Sequence, residues 1–264
     1  MKISIFTSNQ PRHINLIERM AGIADEVFAV QEGTTVLPGE VADAFSASPV
    51  MNTYMQRVRG AEKKLFGAPR LSPKNVRTLN LRMGDLSRLE LSSLTPALDS
   101  DAYIVFGASW IRGLLAQALV ERKAINIHMG VSPYYRGSSC NFWALYDGNA
   151  DLVGATIHLL SKGLDNGDML YHALPVRGAY DPFDLGMRAV YAAHDTLAAR
   201  LKSGELFNLS PVAQNKQLEF RYTRNDDFND AVATEYLSRN LMPADVERML
   251  TKAPLRHFTY PLFG

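Results

Sequence analysis

The chain has 264 residues, 47% hydrophobic and 21% charged, a balance that excludes disordered and fibrous classes. Lys plus Arg number 28 against 27 Asp plus Glu, a net charge of +1, which is a poor electrostatic footprint for a nucleic-acid binder. The single cysteine, Cys140, cannot form an internal disulfide, no apolar run approaches the roughly 20 residues that span a bilayer, and the N-terminus has no signal-like apolar stretch, so a cytoplasmic, membrane-free protein is expected.

In chain order, Lys2–Thr7 is a short β-rich run followed by the polar turn Ser8–Asn9–Gln10. Ile14, Ile17 and Met20, with Leu16 beside them, then recur at helical spacing, and Pro11 suits the first turn, where its missing N–H costs little. A strand at Glu26–Val30 completes a β–α–β order and implies a parallel α/β sheet. Residues 31–49 are small, polar and broken by Gly and Pro, the pattern of a surface loop. A helix follows over Met51–Phe66, then strands at Val76–Leu81 and Ala102–Phe106, a helix over Ile111–Arg122 and a strand at Ala124–His128. The segment Ser139–Tyr146 reads as a helix, and Val153–Leu160 and Met169–Val176 as strands joined by the turn-rich SKGLDNGD. A long helix over Phe183–Lys202 closes a main unit of residues 1–204. Residues 205–264 form a small C-terminal extension with a short β run, Phe220–Thr223, and two helices.

The chain contains no Gly-rich dinucleotide fingerprint, no phosphate loop and no Cys-x-x-Cys pair, and its six histidines lack metal-ligand spacing, so no metal is expected. The informative stretch is Ile125–His128. Side chains alternate along a strand, which puts Asn126 and His128 on one face and Ile125 and Ile127 on the other, and Gly130 and Pro133 end the strand at once. In a parallel sheet that is the carboxyl edge, where ligand crevices form. Taken alone, this Asn-x-His is also satisfied by a strand end bonded to loop backbone. In Gly163–Asp168 the glycines and Asn166 permit a turn that aims a carboxylate inward, although a hairpin with solvent-facing aspartates has the same composition.

Together these stretches resemble the core of folate-dependent formyltransferases, a family that includes methionyl-tRNA, glycinamide ribonucleotide and nucleotide-sugar N-formyltransferases. The family pattern is Asn-x-His at a strand end, a Pro-containing loop reaching Arg-Gly, and a later Leu-Asp-x-Gly. Here these are Asn126/His128, Ser132–Pro133 to Arg136–Gly137, and Leu164–Asp165–Asn166–Gly167, within a match covering about residues 102–176. One departure is Met129–Gly130–Val131–Ser132–Pro133, where the family often has a longer loop with Leu-Leu-Pro, which bears on the acceptor pocket.

The resemblance implies a Rossmann-like α/β fold, catalytic Asn126, His128 and Asp165, and 10-formyltetrahydrofolate as the formyl donor. It places the pterin against Ser109, Trp110, Ile111 and Arg112, with Leu164 and Asp168 on the closing turn; packing is the other role open to Trp110. Arg136, Gly137, Ser138, Ser139 and Asn141 fall on the acceptor side, and the turn through Asn9 before the first helix is a phosphate candidate or a plain strand-to-helix turn. Cys140 is structural or loop-lining. The short, weakly basic tail points to a nucleotide-linked amino sugar as acceptor, with GDP-perosamine, for O-antigen lipopolysaccharide, the best match. Formylation of methionyl-tRNA or another amine, and a catalytically silent folate- or nucleotide-binding protein, are the alternatives. In the tail, Phe228, Val232 and Tyr236 lie at helical spacing and form either a homodimer face or a face packed on its own domain.

Overall fold

The computed structural model describes residues 1–33, 48–163 and 165–264. Most of the loop expected at 31–49, and Leu164, lie outside the described residues.

The first strand, β1 (Lys2–Ser8), is the central rail: six of its seven residues are buried. Its apolar sequence alternates between two layers, Ile3 and Ile5 entering one core and Phe6 the other. Helix α1 (Pro11–Ala21) has Pro in its first turn and buries Leu16, Ile17 and Met20. Strand β2 (Glu26–Gly33) runs three residues past its expected end because it pairs with β3 (Val76–Arg82) along that whole length. Ser48 caps α2 (Pro49–Phe66), its side chain accepting from Met51 N at 3.1 Å. After β4 (Ala102–Phe106) and α3 (Gly113–Glu121) comes β5 (Ile125–His128).

β6 (Tyr135–Gly137) and α4 (Cys140–Tyr146) lead to the hairpin of β7 (Ala155–Leu159) and β8 (Met169–Leu174), and the long helix α5 (Pro182–Ser203) follows. Asp181 caps α5 through Phe183 N at 2.9 Å, and Gly204 ends it with φ +76°. The tail supplies β9 (Arg221–Thr223), α6 (Asp230–Ser238), α7 (Pro243–Thr251) and β10 (Leu262–Phe263).

The main sheet has eight strands in the order β10-β8-β7-β5-β4-β1-β2-β3. The run from β3 to β5 is parallel, as expected, whereas β7 lies antiparallel to both β5 and β8. Ile125 and Ile127 of β5 join the core under α1 and α5, which turns Asn126 and His128 to the opposite face. The tail is woven into this framework. β10 extends the sheet beside β8, and β9 pairs with β6 in a separate two-stranded sheet. Phe228 packs 4.9 Å from Tyr54 and 4.6 Å from Phe142, and Tyr236 lies 4.8 Å from Phe142. Of the two roles open to the Phe228–Tyr236 face, packing on its own chain is the one observed, so these rings are not a free dimer face.

Candidate active site

At the carboxyl ends of β1, β4 and β5 lies a cleft of about 840 Å³. Its walls are built from the segment after β4 (Gly107–Ile111), the end of β5 (Asn126–Met129), Gly137–Ser138, the β7–β8 turn, and Tyr222–Asn225 of the tail.

At its base, β5 presents Asn126 and His128, and the turn brings Asp165 back over them. Asp165 Oδ1 lies 3.4 Å from His128 Nδ1 and 3.3 Å from Asn126 Nδ2. The alternation on β5 thus meets the carboxylate 39 residues away in sequence from Asn126. A fourth residue belongs to the cluster. His158 stands opposite Asn126 in the antiparallel register of β7 on β5, and its Nε2 is 3.0 Å from Asn126 Nδ2. With its proton on Nδ1 it donates to Leu159 O at 2.8 Å, leaving Nε2 to accept from the amide, which fixes the Asn126 nitrogen toward the carboxylate.

Burial opposes a charge on His128, but the Asp165 carboxylate, helped by Cys140, outweighs it and holds the imidazole pKa well above its ordinary value. Burial likewise opposes the charge on Asp165, yet His128 holds its carboxyl well below the usual range. Both shifts favour the ion-paired, imidazolium–carboxylate form of the pair. Gly130 makes the cluster possible: a Cβ there would stand 2.8 Å from His128 Nε2 and 2.4 Å from the Cys140 Cβ. Cys140 itself is buried and reaches Gly137 O at 3.4 Å, in keeping with a loop-lining role.

The wall after β4 is set by Glu32, a fully buried carboxylate at the end of β2. It accepts from Ser109 N at 2.7 Å, Ser109 Oγ at 2.9 Å and Gly84 N at 2.8 Å, tying the segment of Trp110 and Ile111 to the turn after β3. In Glu32→Gln either orientation of the amide turns its NH₂ group toward one of these backbone N–H groups. A loss of about 1–3 kcal/mol in stability is expected, read as a lower urea midpoint at unchanged slope.

Of the residues expected from the sequence, Ser109, Trp110, Ile111, Gly137 and Ser138 line the cleft with Asn126, His128 and Asp165. Trp110 is 57% exposed, so it is not core packing. Arg112 stands behind it, guanidinium 5.0 Å from the indole centroid, and its backbone N–H donates to Ser87 Oγ. Neither it nor Asn9, Ser139 or Asp168, all exposed, is part of the lining. Asn141 is committed elsewhere, its Oδ1 accepting from Gly154 N at 3.0 Å. Arg136 is buried, pairs with Glu219 and Asn166, and is not part of the lining.

Three contributors were not foreseen: His158, the tail residues Tyr222–Asn225, and His13 on α1. His13 is buried against Gly107, whose φ of +61° and missing Cβ admit the ring, and burial, Arg12 and His194 push its pKa well below the usual value. Ser138 Oγ and His13 Nδ1 are buried and have no hydrogen-bond partner among the described residues. Among the described residues no group of three or more His, Cys, Asp or Glu is placed to hold a metal, and no helix is long and apolar enough to cross a membrane.

An open α/β sheet with an Asn–His–Asp cluster at its carboxyl edge defines a Rossmann-like formyltransferase fold. Residues 87–201 match the model of the formyl transferase family. Methionyl-tRNA formyltransferases of Anaeromyxobacter sp. (strain K) and Trichormus variabilis are 30% and 29% identical over 150 and 119 residues. These stretches are 56% and 45% of this chain, and 45% and 35% of those proteins, so the chain spans less than half the length of these curated relatives.

Among solved structures, a 4-N formyltransferase from Francisella tularensis aligns with TM-score 0.53 and 14% identity, over 98% of this chain and 91% of that one. The formyltransferase PseJ from Anoxybacillus kamchatkensis, in complex with UDP-4,6-dideoxy-4-formamido-L-AltNAc and tetrahydrofolate, aligns with TM-score 0.51 and 14% identity, over 96% and 100%. An N-formyltransferase from Helicobacter canadensis, in complex with folinic acid and dTDP-3-aminofucose, aligns with TM-score 0.50 and 13% identity, over 87% and 72%. At such identities the likeness is one of fold.

Proposed function

We propose that this chain moves the formyl group of 10-formyltetrahydrofolate to the amine of a nucleotide-linked amino sugar, in the cytoplasm. The observation that carries the reading is the buried His128–Asp165 pair beside Asn126, at the base of a cleft large enough for two ligands. The reaction needs a neutral amine to attack the formyl carbon, forming an oxyanion that must be stabilised. The His128 imidazolium supplies the charge, and the Asn126 N–H held only loosely by Asp165, at 3.3 Å, is the donor free to turn to the oxyanion. His128 then gives its proton to the departing folate nitrogen, and the amine's surplus proton returns to the pair through Asp165. Asp165 is too weak a base to keep that proton, so its chief work is to hold the charge on His128.

Trp110, Ile111 and the turn near Asp165 form the donor side, as the resemblance implies. Gly137, Ser138 and the tail residues Tyr222–Asn225 form the acceptor side, an aromatic ring among them suiting a nucleobase. Residues 1–204 act as the catalytic domain and 205–264 as the extension that completes its acceptor wall. The folate and nucleotide-sugar ligands of the similar structures support the substrate class. GDP-perosamine, for O-antigen lipopolysaccharide, is the first acceptor to try.

The competing acceptor, methionyl-tRNA, rests on the curated relatives. The test is turnover of 10-formyltetrahydrofolate with GDP-, UDP- and dTDP-linked amino sugars and with methionyl-tRNA, each beside a His128→Ala control. Formyl-sugar product from the wild type, lost by about 100-fold or more in the variant, is expected. Formylation of tRNA alone overturns the sugar assignment, and tight folate binding without turnover of any amine returns the chain to a silent binding protein.

A further inference from the structure

Asp165 has φ +48°, in the left-handed region that a residue with a Cβ occupies only when its surroundings hold it there. Those surroundings come largely from the tail. Val212 exchanges two backbone hydrogen bonds with Met169, both 2.8 Å, just past the turn. Gln214 Nε2 then donates to the carbonyl oxygens of Asp165, at 2.8 Å, and Gly167, at 2.9 Å. Further on, Glu219 accepts from Arg136 Nη1 at 2.8 Å, and Arg136 Nη2 donates to Asn166 Oδ1. The opposite side of the turn has no slack, since a Cβ on Gly167 would lie 1.7 Å from Leu159 O. Among the described residues the buried Oε1 of Gln214 has no hydrogen-bond partner.

We infer that Gln214, backed by the Glu219–Arg136–Asn166 chain, is a positioning residue for Asp165: it fixes the turn so that Oδ1 stays between His128 Nδ1 and Asn126 Nδ2. Both carbonyls it binds belong to the turn, so losing its two donors frees the φ of Asp165 and lets the carboxylate swing toward water. The titratable groups facing His128 are Asp165 from the turn, Cys140 from α4 and His158 from β7. Only the first of these moves with Gln214. The kinetic half of the inference rests on the proposed formyl transfer; the structural half does not.

The experiment follows the His128 imidazole by heteronuclear NMR across pH, in the full chain and in Gln214→Leu, alongside the pH dependence of kcat. The variant is expected to titrate His128 at lower pH than the wild type. Its kcat should fall roughly 10- to 100-fold at a nearly unchanged KM for the acceptor, with the alkaline limb displaced to lower pH. A merely structural glutamine would lower the unfolding midpoint and leave the titration in place. If Gln214→Leu does not fold, Glu219→Gln takes its place, with a smaller displacement in the same direction. An unmoved His128 titration in the folded variant overturns the inference. A moved titration in a protein that formylates no amine upholds it and defeats the proposed function instead.

Discussion

Replacing Asp165 by Asn is expected to lower kcat for formyl transfer by about 10²- to 10³-fold, and to move the alkaline limb of the pH–rate profile toward neutrality. The amide keeps the size of the carboxylate and can still accept from Asn126, so the loss isolates charge. Without the carboxylate at 3.4 Å, burial, the largest influence on His128, is opposed only by Cys140 and favours the neutral ring. The oxyanion then loses an imidazolium, worth at least as much as one lost oxyanion donor, about 2.7–4 kcal/mol of barrier.

Stability follows with a definite sign. His128 has its folded pKa raised, so its contribution is complete below the ordinary value of 6.5 and disappears as pH rises through the folded value. Asp165 has its folded pKa depressed, so its contribution is complete above the ordinary 3.8 and disappears as pH falls through the folded value. Wild type and Asp165→Asn should therefore differ most in stability between those limits and converge beyond them. Urea midpoints across pH, set beside kcat profiles, check both halves. A profile whose alkaline limb stays in place would remove His128 as the titrating group.

How much of this site could be read in the sequence depends on how local each placement is. The alternation in Ile-Asn-Ile-His is a property of the strand itself, so Asn126 and His128 share a face in the structure as they do on paper. The extent of β2 was less legible, because residues 31–33 look like loop until β3 pairs with them through to Gly33. In that extra length lies Glu32, and nothing in the run Gln-Glu-Gly shows a carboxylate that will bind two loops. His158 was missed for a similar reason. Its role is set by the antiparallel register that puts it opposite Asn126, and a lone His in a β-rich run has no signal for that.

Asp165 joined the cluster only by resemblance, and the positive φ that aims it is supplied by Gln214, 49 residues on. Arg136 shows the reverse case. Its place in the family pattern suggested the acceptor, but the partners that occupy it, Glu219 and Asn166, lie 83 and 30 residues away. A tail that reads as an appendage by composition is in space a wall of the cleft and a brace for its turn.

The tail meets the cleft wall at Gly137, and Gly137→Ala should be among the most damaging single-methyl changes near the cleft. Gly137 pairs with Thr223 where β9 lies along β6, has φ +88°, and lines the cleft. An added Cβ would stand 1.9 Å from Thr223 O and 3.0 Å from its carbonyl carbon. Both atoms are backbone in a paired strand, so no side chain can swing aside. Alanine also meets the left-handed penalty of roughly 1–2 kcal/mol before any contact is counted. To relieve the overlap β9 must leave β6, giving up the bond from Ser138 N to Thr223 O at 3.0 Å and that from Thr223 Oγ1 to Ser138 O at 2.6 Å. Each lost bond adds about 1 kcal/mol. A total near 3–4 kcal/mol follows, which for a chain of this size lowers Tm by roughly 6–16 °C. Because Tyr222 to Asn225 leave with the strand, the acceptor KM should rise well before kcat falls, while binding of a reduced folate, on the opposite wall, stays close to that of the wild type. Calorimetry of the variant, with separate titrations of folate and nucleotide sugar, reads these three effects independently. Equal weakening of both ligands would mean that β9 supports the whole cleft and not its acceptor wall alone.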